Sequence, residues 1–226
     1  MPYRLGMDIF SSINHYLAKL FFPPACVSCK TEGSFLCEAC IGKISLMKNM
    51  RRENPLKDGL IQAIYTPCDY HSNRPLQKAL HGLKYNYYKD VSTPLAEILQ
   101  KSFKQNPPPF GTHLVPIPLH KKREAFRGFN QAELLAEHLS WLTKYPISNV
   151  LKREINTASQ ATLNKEQRQE NMKNAFEINL ENALPKDTPI MLVDDVCTTL
   201  STFKSAAQTL QKHGYRIILC TALAQA

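Results

Sequence analysis

Acidic residues are scarce in this chain. Nineteen Asp and Glu face 28 Lys and Arg, which leaves a formal charge of +9 and a pI near 9.2. That balance points to a polyanionic partner, either nucleic acid or phosphorylated ligands, although charge alone does not choose between them. Glycine is scarce too, with 8 in 226 residues, and hydrophobic residues make up 43%. Those two figures exclude a disordered or low-complexity chain and leave room for one core domain with a small appendage. Long apolar runs are missing, so no transmembrane span is expected. Residues 1–20 are interrupted by Asp8, His15 and Lys19 and lack a small-residue cleavage site, so no secretory signal is expected either. No internal repeat is present. Seven cysteines, an odd number with four in one short stretch, do not suit a disulfide framework and favour a reducing, cytoplasmic setting.

The clustered cysteines are Cys26-x-x-Cys29 and Cys37-x-x-Cys40. Two such knuckles can converge four thiolates on one Zn²⁺, closing a tetrahedral shell with no open position, as a structural site requires. Two disulfides are the rival reading. The segment has few apolar residues of its own, so metal is expected to hold it folded. Ahead of it, Ile9, Ile13, Tyr16, Leu17 and Leu20 recur at helical spacing, predicting an amphipathic helix over 8–21. We therefore divide the chain into a helix and zinc module (1–50), a basic linker (51–58) and a main domain (59–226).

Within the main domain, the run Pro189–Val193 is apolar without strict alternation, as in a strand buried on both faces of a parallel sheet. It ends in Asp194 and Asp195. Val196, Cys197, Thr198, Thr199, Leu200, Ser201 and Thr202 then form a hydroxyl-rich turn that opens a helix. Paired acids at the carboxyl end of such a strand sit where open α/β sheets bind ligands, and the free N–H groups of a helix start favour an anion. Acids for sugar hydroxyls and a helix start for phosphate describe a ribose 5-phosphate pocket. The plainer reading is a strand whose acids cap the next helix.

Further strands are predicted at 60–65, 113–118, 175–179 and 215–223, and helices at 74–88, 92–103, 133–141 and 165–171. Alternation of strands and helices argues for an α/β fold with a mostly parallel sheet. After Pro116 and Pro118 comes a loop with four cations, Lys121, Lys122, Arg123 and Arg127, followed by Asn130 and Gln131. With Phe126 and Phe129 nearby, it suits pyrophosphate or a nucleic-acid backbone with base stacking, or else a solvated basic face. Lys84, Lys152, Arg153, Gln160 and Arg168 are further candidate contacts, the last four flanking or lying within a polar segment placed like a functional lid. No cluster reads as a nucleobase clamp.

The order of these pieces resembles the ComF family of competence proteins, of the ComFC type. The resemblance rests on Cys26, Cys29, Cys37 and Cys40, Leu83-Lys84-Tyr85, Val115-Pro116-Ile117-Pro118, Arg127-Gly128-Phe129-Asn130-Gln131, Ser159-Gln160, Glu166-Gln167-Arg168, Asn171, Ala175-Phe176 and Val193-Asp194-Asp195-Val196, which span nearly the whole chain. It implies a type I phosphoribosyltransferase fold with an amino-terminal zinc module. It also implies a phosphoribosyl-pyrophosphate (PRPP) pocket in which the acids hold the ribose hydroxyls and the turn cradles the 5′-phosphate, with Mg²⁺ accompanying PRPP. Natural transformation follows from it as the expected role, with single-stranded DNA and a ComFA-type helicase as partners at the inner face of the inner membrane. An active phosphoribosyltransferase of nucleotide metabolism is the alternative, and a purely structural bridge the third reading. Leu200 stands where the family carries glycine, and Phe126 where a polar residue is common. A left-handed backbone at position 200 would penalise leucine.

Overall fold

The structure is a computed structural model, and it describes residues 23–153 and 175–226. The predicted helices over 8–21 and 165–171, together with Gln160 and Arg168, lie outside the described residues.

Two long strands form the centre. β7 (Ile190–Cys197) and β8 (Ile218–Gln225) run parallel in the register Ile190↔Ile218 to Cys197↔Gln225, and β4 (His113–Pro116) lies parallel on the far side of β7. The other edge of β8 takes β2 (Ala63–Tyr65) and then β3 (Cys68–Asp69), both parallel. A short antiparallel strand, β1 (Arg51–Glu53), closes that edge. A separate antiparallel pair is formed by β5 (Leu151–Lys152) and β6 (Glu177–Ile178). The fold is thus α/β with a mixed, mostly parallel sheet.

Side-chain alternation along β7 explains why its sequence is apolar without a period of two. Met191 and Val193 enter a core shared with α2 (Arg74–Tyr85), α3 (Ser92–Gln105) and α5 (Gln131–Thr143), whereas Ile190 and Leu192 enter a second core under α6 (Ser201–Lys212). β8 repeats the pattern, with Leu219 and Leu223 on the first face and Cys220 and Ala222 on the second. Both faces are covered, so every β7 residue before the acids is buried.

Beyond β3, which no pattern announces, and the strand expected at 175–179, which pairs with β5 outside the main sheet, two elements differ from expectation. Arg51–Glu53, placed by sequence in the linker, pairs with β2 as an edge strand. Lys121–Arg127, read as a loop, is helix α4, started by the His120 ring accepting from Lys122 N–H at 3.2 Å and stopped by Gly128 at φ 71°. Its Lys, Arg, Glu and Ala are good helix formers, and a left-handed glycine is an ordinary helix stop. None of its residues is buried.

The cysteine segment adds only a short helix of its own, α1 (Glu38–Ile41). Cys26, Val27, Leu36, Cys40 and Ile44 join the core that holds Leu76, Leu80 and Leu83 of α2. Contact is close at Gly82, where a Cβ would lie 3.1 Å from Tyr88 and 3.3 Å from Val27. Phe35 stacks on Tyr88 with ring centroids 4.9 Å apart, and Lys78 Nζ donates to the Ser28 carbonyl at 2.9 Å.

Candidate ribose-phosphate site and zinc cluster

The two acids come near the end of β7, where strict alternation gives way: Val196 packs against the first core and Cys197 enters the second. Asp195 turns toward α2 and meets Lys84, whose Nζ lies 2.9 Å from Oδ2. Both side chains are largely buried, at 24% and 10% exposure. Burial works against the Lys84 ammonium, but the charge and hydrogen bond of Asp195 outweigh it and raise its pKa. Lys84 therefore counters the acid pair in this structure, although the sequence suggested it as a pyrophosphate contact.

Asp194 precedes Asp195 on the strand. Its Oδ1 accepts the Asp195 N–H at 2.8 Å. Burial, and then the charge of Asp195, push its carboxyl up to about 7, against the pull of that N–H, Lys84 and Arg153. Arg153, at the exit of β5, has its own pKa lowered by burial and by Arg123 of α4, and its ring contact is with Phe176 at 5.3 Å. Two cations thus act on Asp194, Lys84 of α2 and Arg153 after β5.

Beyond the strand, Thr198 and Thr199 are exposed and the Thr199 and Ser201 hydroxyls are 2.9 Å apart. α6 starts without a side-chain cap, so neither acid caps it, contrary to the plainer sequence reading. Its first N–H groups are the uncapped donors of a helix start. Leu200 has φ −70°, an ordinary conformation for leucine, and its side chain packs against the core under α6. No left-handed glycine is required there. Cys197 is buried, and burial raises its thiol pKa to about 11, so its thiolate is scarce at neutral pH.

The remaining predicted contacts divide. Arg123 comes near Arg153, and Lys121 and Lys122 are exposed on α4. Arg127 donates to Gln131 Oε1 at 3.0 Å and lies 5.6 Å from the Tyr85 ring. Asn130 is buried in structural work: its Oδ1 accepts from Ala132 N–H at 3.1 Å and its Nδ2 donates to the Ile117 carbonyl at 3.0 Å. Gln131 Nε2 is buried without a hydrogen-bond partner among the described residues. Lys152 turns to Glu177 at 3.6 Å. Phe129 is only 8% exposed and cannot offer a ring face to a ligand, whereas Tyr85 and Tyr87, to which the sequence reading gave no stacking role, are 57% and 56% exposed.

The four sulfurs of Cys26, Cys29, Cys37 and Cys40 lie within 4.8 Å of one another. Zn–S bonds of about 2.3 Å place tetrahedral sulfurs roughly 3.8 Å apart, so the donor set fits one ion after small adjustments. Hydrogen bonding with Thr31, ahead of that with Cys37 and Cys26, brings the Cys29 thiol down to about 6. Against a hydrogen bond with Ser28, burial and the Cys29, Cys37 and Cys26 sulfurs push Cys40 up to about 11, so a metal binding all four displaces protons from the cluster.

A single β-strand with paired acids is a local match, and likeness to known proteins extends it along the chain. No family model matches. "Competence protein F" of Haemophilus influenzae is 39% identical over 115 residues, half of each chain. "DNA utilization protein YhgH" of Escherichia coli (strain K12) is 34% identical over 158 residues, 68% of this chain and 67% of that one. This chain belongs to the ComF family. A third ComF relative, "Competence protein ComFC" of Bacillus subtilis, is 30% identical over 145 residues, covering 64% of this chain and 57% of its own. Matched stretches therefore span between half and two thirds of these ComF relatives' lengths. As in the sequence, no described helix is long and apolar enough to cross a membrane.

Proposed function

We propose that this protein serves natural transformation, assisting single-stranded DNA import across the inner membrane, and that it carries a PRPP-type pocket on a type I phosphoribosyltransferase fold. The relatives' names, competence protein and DNA utilization protein, support the first half. One observation carries the second: Asp194 and Asp195 leave the carboxyl end of the central parallel strand immediately before an uncapped, hydroxyl-rich helix start. In this reading the ribose hydroxyls donate to the two carboxylates. The 5′-phosphate accepts from the N–H groups at the start of α6 and from Thr198, Thr199 and Ser201. Lys84 and Arg153 set the charge of the pocket, and Arg123 and Arg127 extend positive charge outward for pyrophosphate or a DNA backbone. Mg²⁺ would arrive on the pyrophosphate, because Lys84 already occupies Asp195 Oδ2. A ComFA-type helicase and a position at the inner face of the membrane complete the reading.

Titration calorimetry with PRPP and Mg²⁺ tests the pocket. Micromolar binding that disappears in Asp194→Asn/Asp195→Asn is the expected result, and equal heats from both proteins would remove the pocket. The enzyme alternative is favoured by the same acids and cations, which would stabilise positive charge on the ribose as pyrophosphate leaves. Pyrophosphate release on adding nucleobases separates a working transferase from a binding platform.

A further inference from the structure

Seven large hydrophobic side chains stand exposed among the described residues, and three of them, Tyr85, Tyr87 and Phe126, belong to two segments that touch, the end of α2 with the turn after it and α4. Tyr85 ends α2, directly after the lysine on Asp195. Phe126 is 77% exposed on α4. The Tyr87 hydroxyl donates to the Phe126 carbonyl at 2.9 Å, joining the α2 end to α4. Arg127 lies 5.6 Å from the Tyr85 ring, and His81 flanks the same ring at 4.8 Å. Tyr87 also sets its ring edge against buried Phe129 at 6.5 Å.

The two tyrosine rings are held by these contacts. Tyr87 has φ 59°, a backbone region that an aromatic residue occupies only when its surroundings impose it. Apolar faces this large usually go inward, and here the core has taken Phe129 and Tyr88 and left the other three outside. Apart from Lys84, which is paired with Asp195, the two segments that carry them, 84–90 and 121–127, contain five cations (Lys89, Lys121, Lys122, Arg123, Arg127) against two acids, Asp90 and Glu124. Exposed π faces beside positive charge complement an anionic polymer with unpaired bases.

We propose that Tyr85, Tyr87 and Phe126 form a stacking platform for the bases of a single-stranded nucleic acid whose phosphates run along the cations of α4. This rests on the nucleic-acid reading above and adds where, and by which contacts, the strand is held. Every base has a π face, so the platform tolerates any sequence. A duplex keeps its bases stacked internally and gains nothing from the rings.

The test is fluorescence anisotropy of the full, zinc-loaded chain with three labelled probes: a 20-nucleotide thymidine strand, an abasic strand of equal length and a 20-base-pair duplex. Tyr85→Ala/Phe126→Ala is expected to weaken binding to the thymidine strand at least about tenfold, while Tyr85→Phe retains it because the ring suffices. Abasic and duplex affinities are expected to stay unchanged, as is the slope of affinity against salt, since no phosphate contact is removed. Tyr87→Asn, whose side chain suits the left-handed backbone, removes the third ring without strain. Wild type that binds the thymidine strand no better than the variants overturns the platform alone, as does an equal loss on the abasic strand. Wild type that binds no strand removes the nucleic-acid reading and the platform together.

Discussion

Asp194 and Asp195 are neighbours in sequence with different surroundings, and that difference is measurable. A carboxyl raised to about 7 in the folded protein holds a proton there that the unfolded chain has already released at about 4. Folding stability contributed by this group therefore falls as pH rises from about 4 to 7, and the penalty is complete above that. Asp194→Asn removes the penalty. Its melting temperature relative to wild type is expected to climb between pH 5 and pH 8 by at least about 2 °C. A constant difference across that range would show that Asp194 is not held near 7. Asp195 depends instead on Lys84, whose raised pKa keeps the ion pair intact throughout neutral pH, with its stability lost only above the ordinary lysine range. Lys84→Met strands a largely buried carboxylate and is expected to cost about 1–3 kcal/mol. Lys84→Met/Asp195→Asn should recover most of that in thermal melts. If the double variant melts no higher than the single, the pair is not coupled.

At the scale of elements, the cysteine segment and α2 depend on each other. α1 is one turn long, and the knuckles bury Cys26, Val27, Leu36 and Cys40 against α2 instead of forming a core of their own. A zinc ion held by these four cysteines would thus fix one wall of the principal core. Purified protein is expected to hold one zinc per chain by atomic absorption. Cys26→Ser/Cys29→Ser should lose the metal and melt lower, with protection of α2 amides in hydrogen exchange reduced along with that of residues 26–40. Full α2 protection in the zinc-free variant would show that the module is a separate appendage. The spacing of Leu76, Leu80 and Leu83 made α2 legible, since a buried helix face repeats every three or four residues. α4 was harder to read. Its helix formers lie after two prolines and bury nothing, so no apolar period marks it. β1 has no pattern at all: Arg51, Arg52 and Glu53 became a strand because the edge of β2 offered backbone partners.

For the whole molecule, the charge of +9 predicts that affinity for any polyanion falls steeply with salt. Lys121→Glu/Lys122→Glu is expected to flatten the slope of single-strand affinity against salt by about 1–2. An unchanged slope would move the backbone track away from α4. The sequence by itself determined the strands β2, β4, β7 and β8, the two knuckles and the acid pair with its hydroxyl turn, because each rests on local spacing: a doubly buried strand, thiols with two residues between them in each pair, carboxylates at a strand end. Only the tertiary structure decided which partners those groups meet. Lys84 lies 111 residues before Asp195 and reaches it because α2 brings its last turn to the end of β7. Leu200 is acceptable because the turn adopts a negative φ. Phe129 went into the core while Tyr85 and Tyr87 stayed outside. Spacing records which face a side chain takes on its own element; whether another element covers that face depends on contacts between residues far apart in the chain.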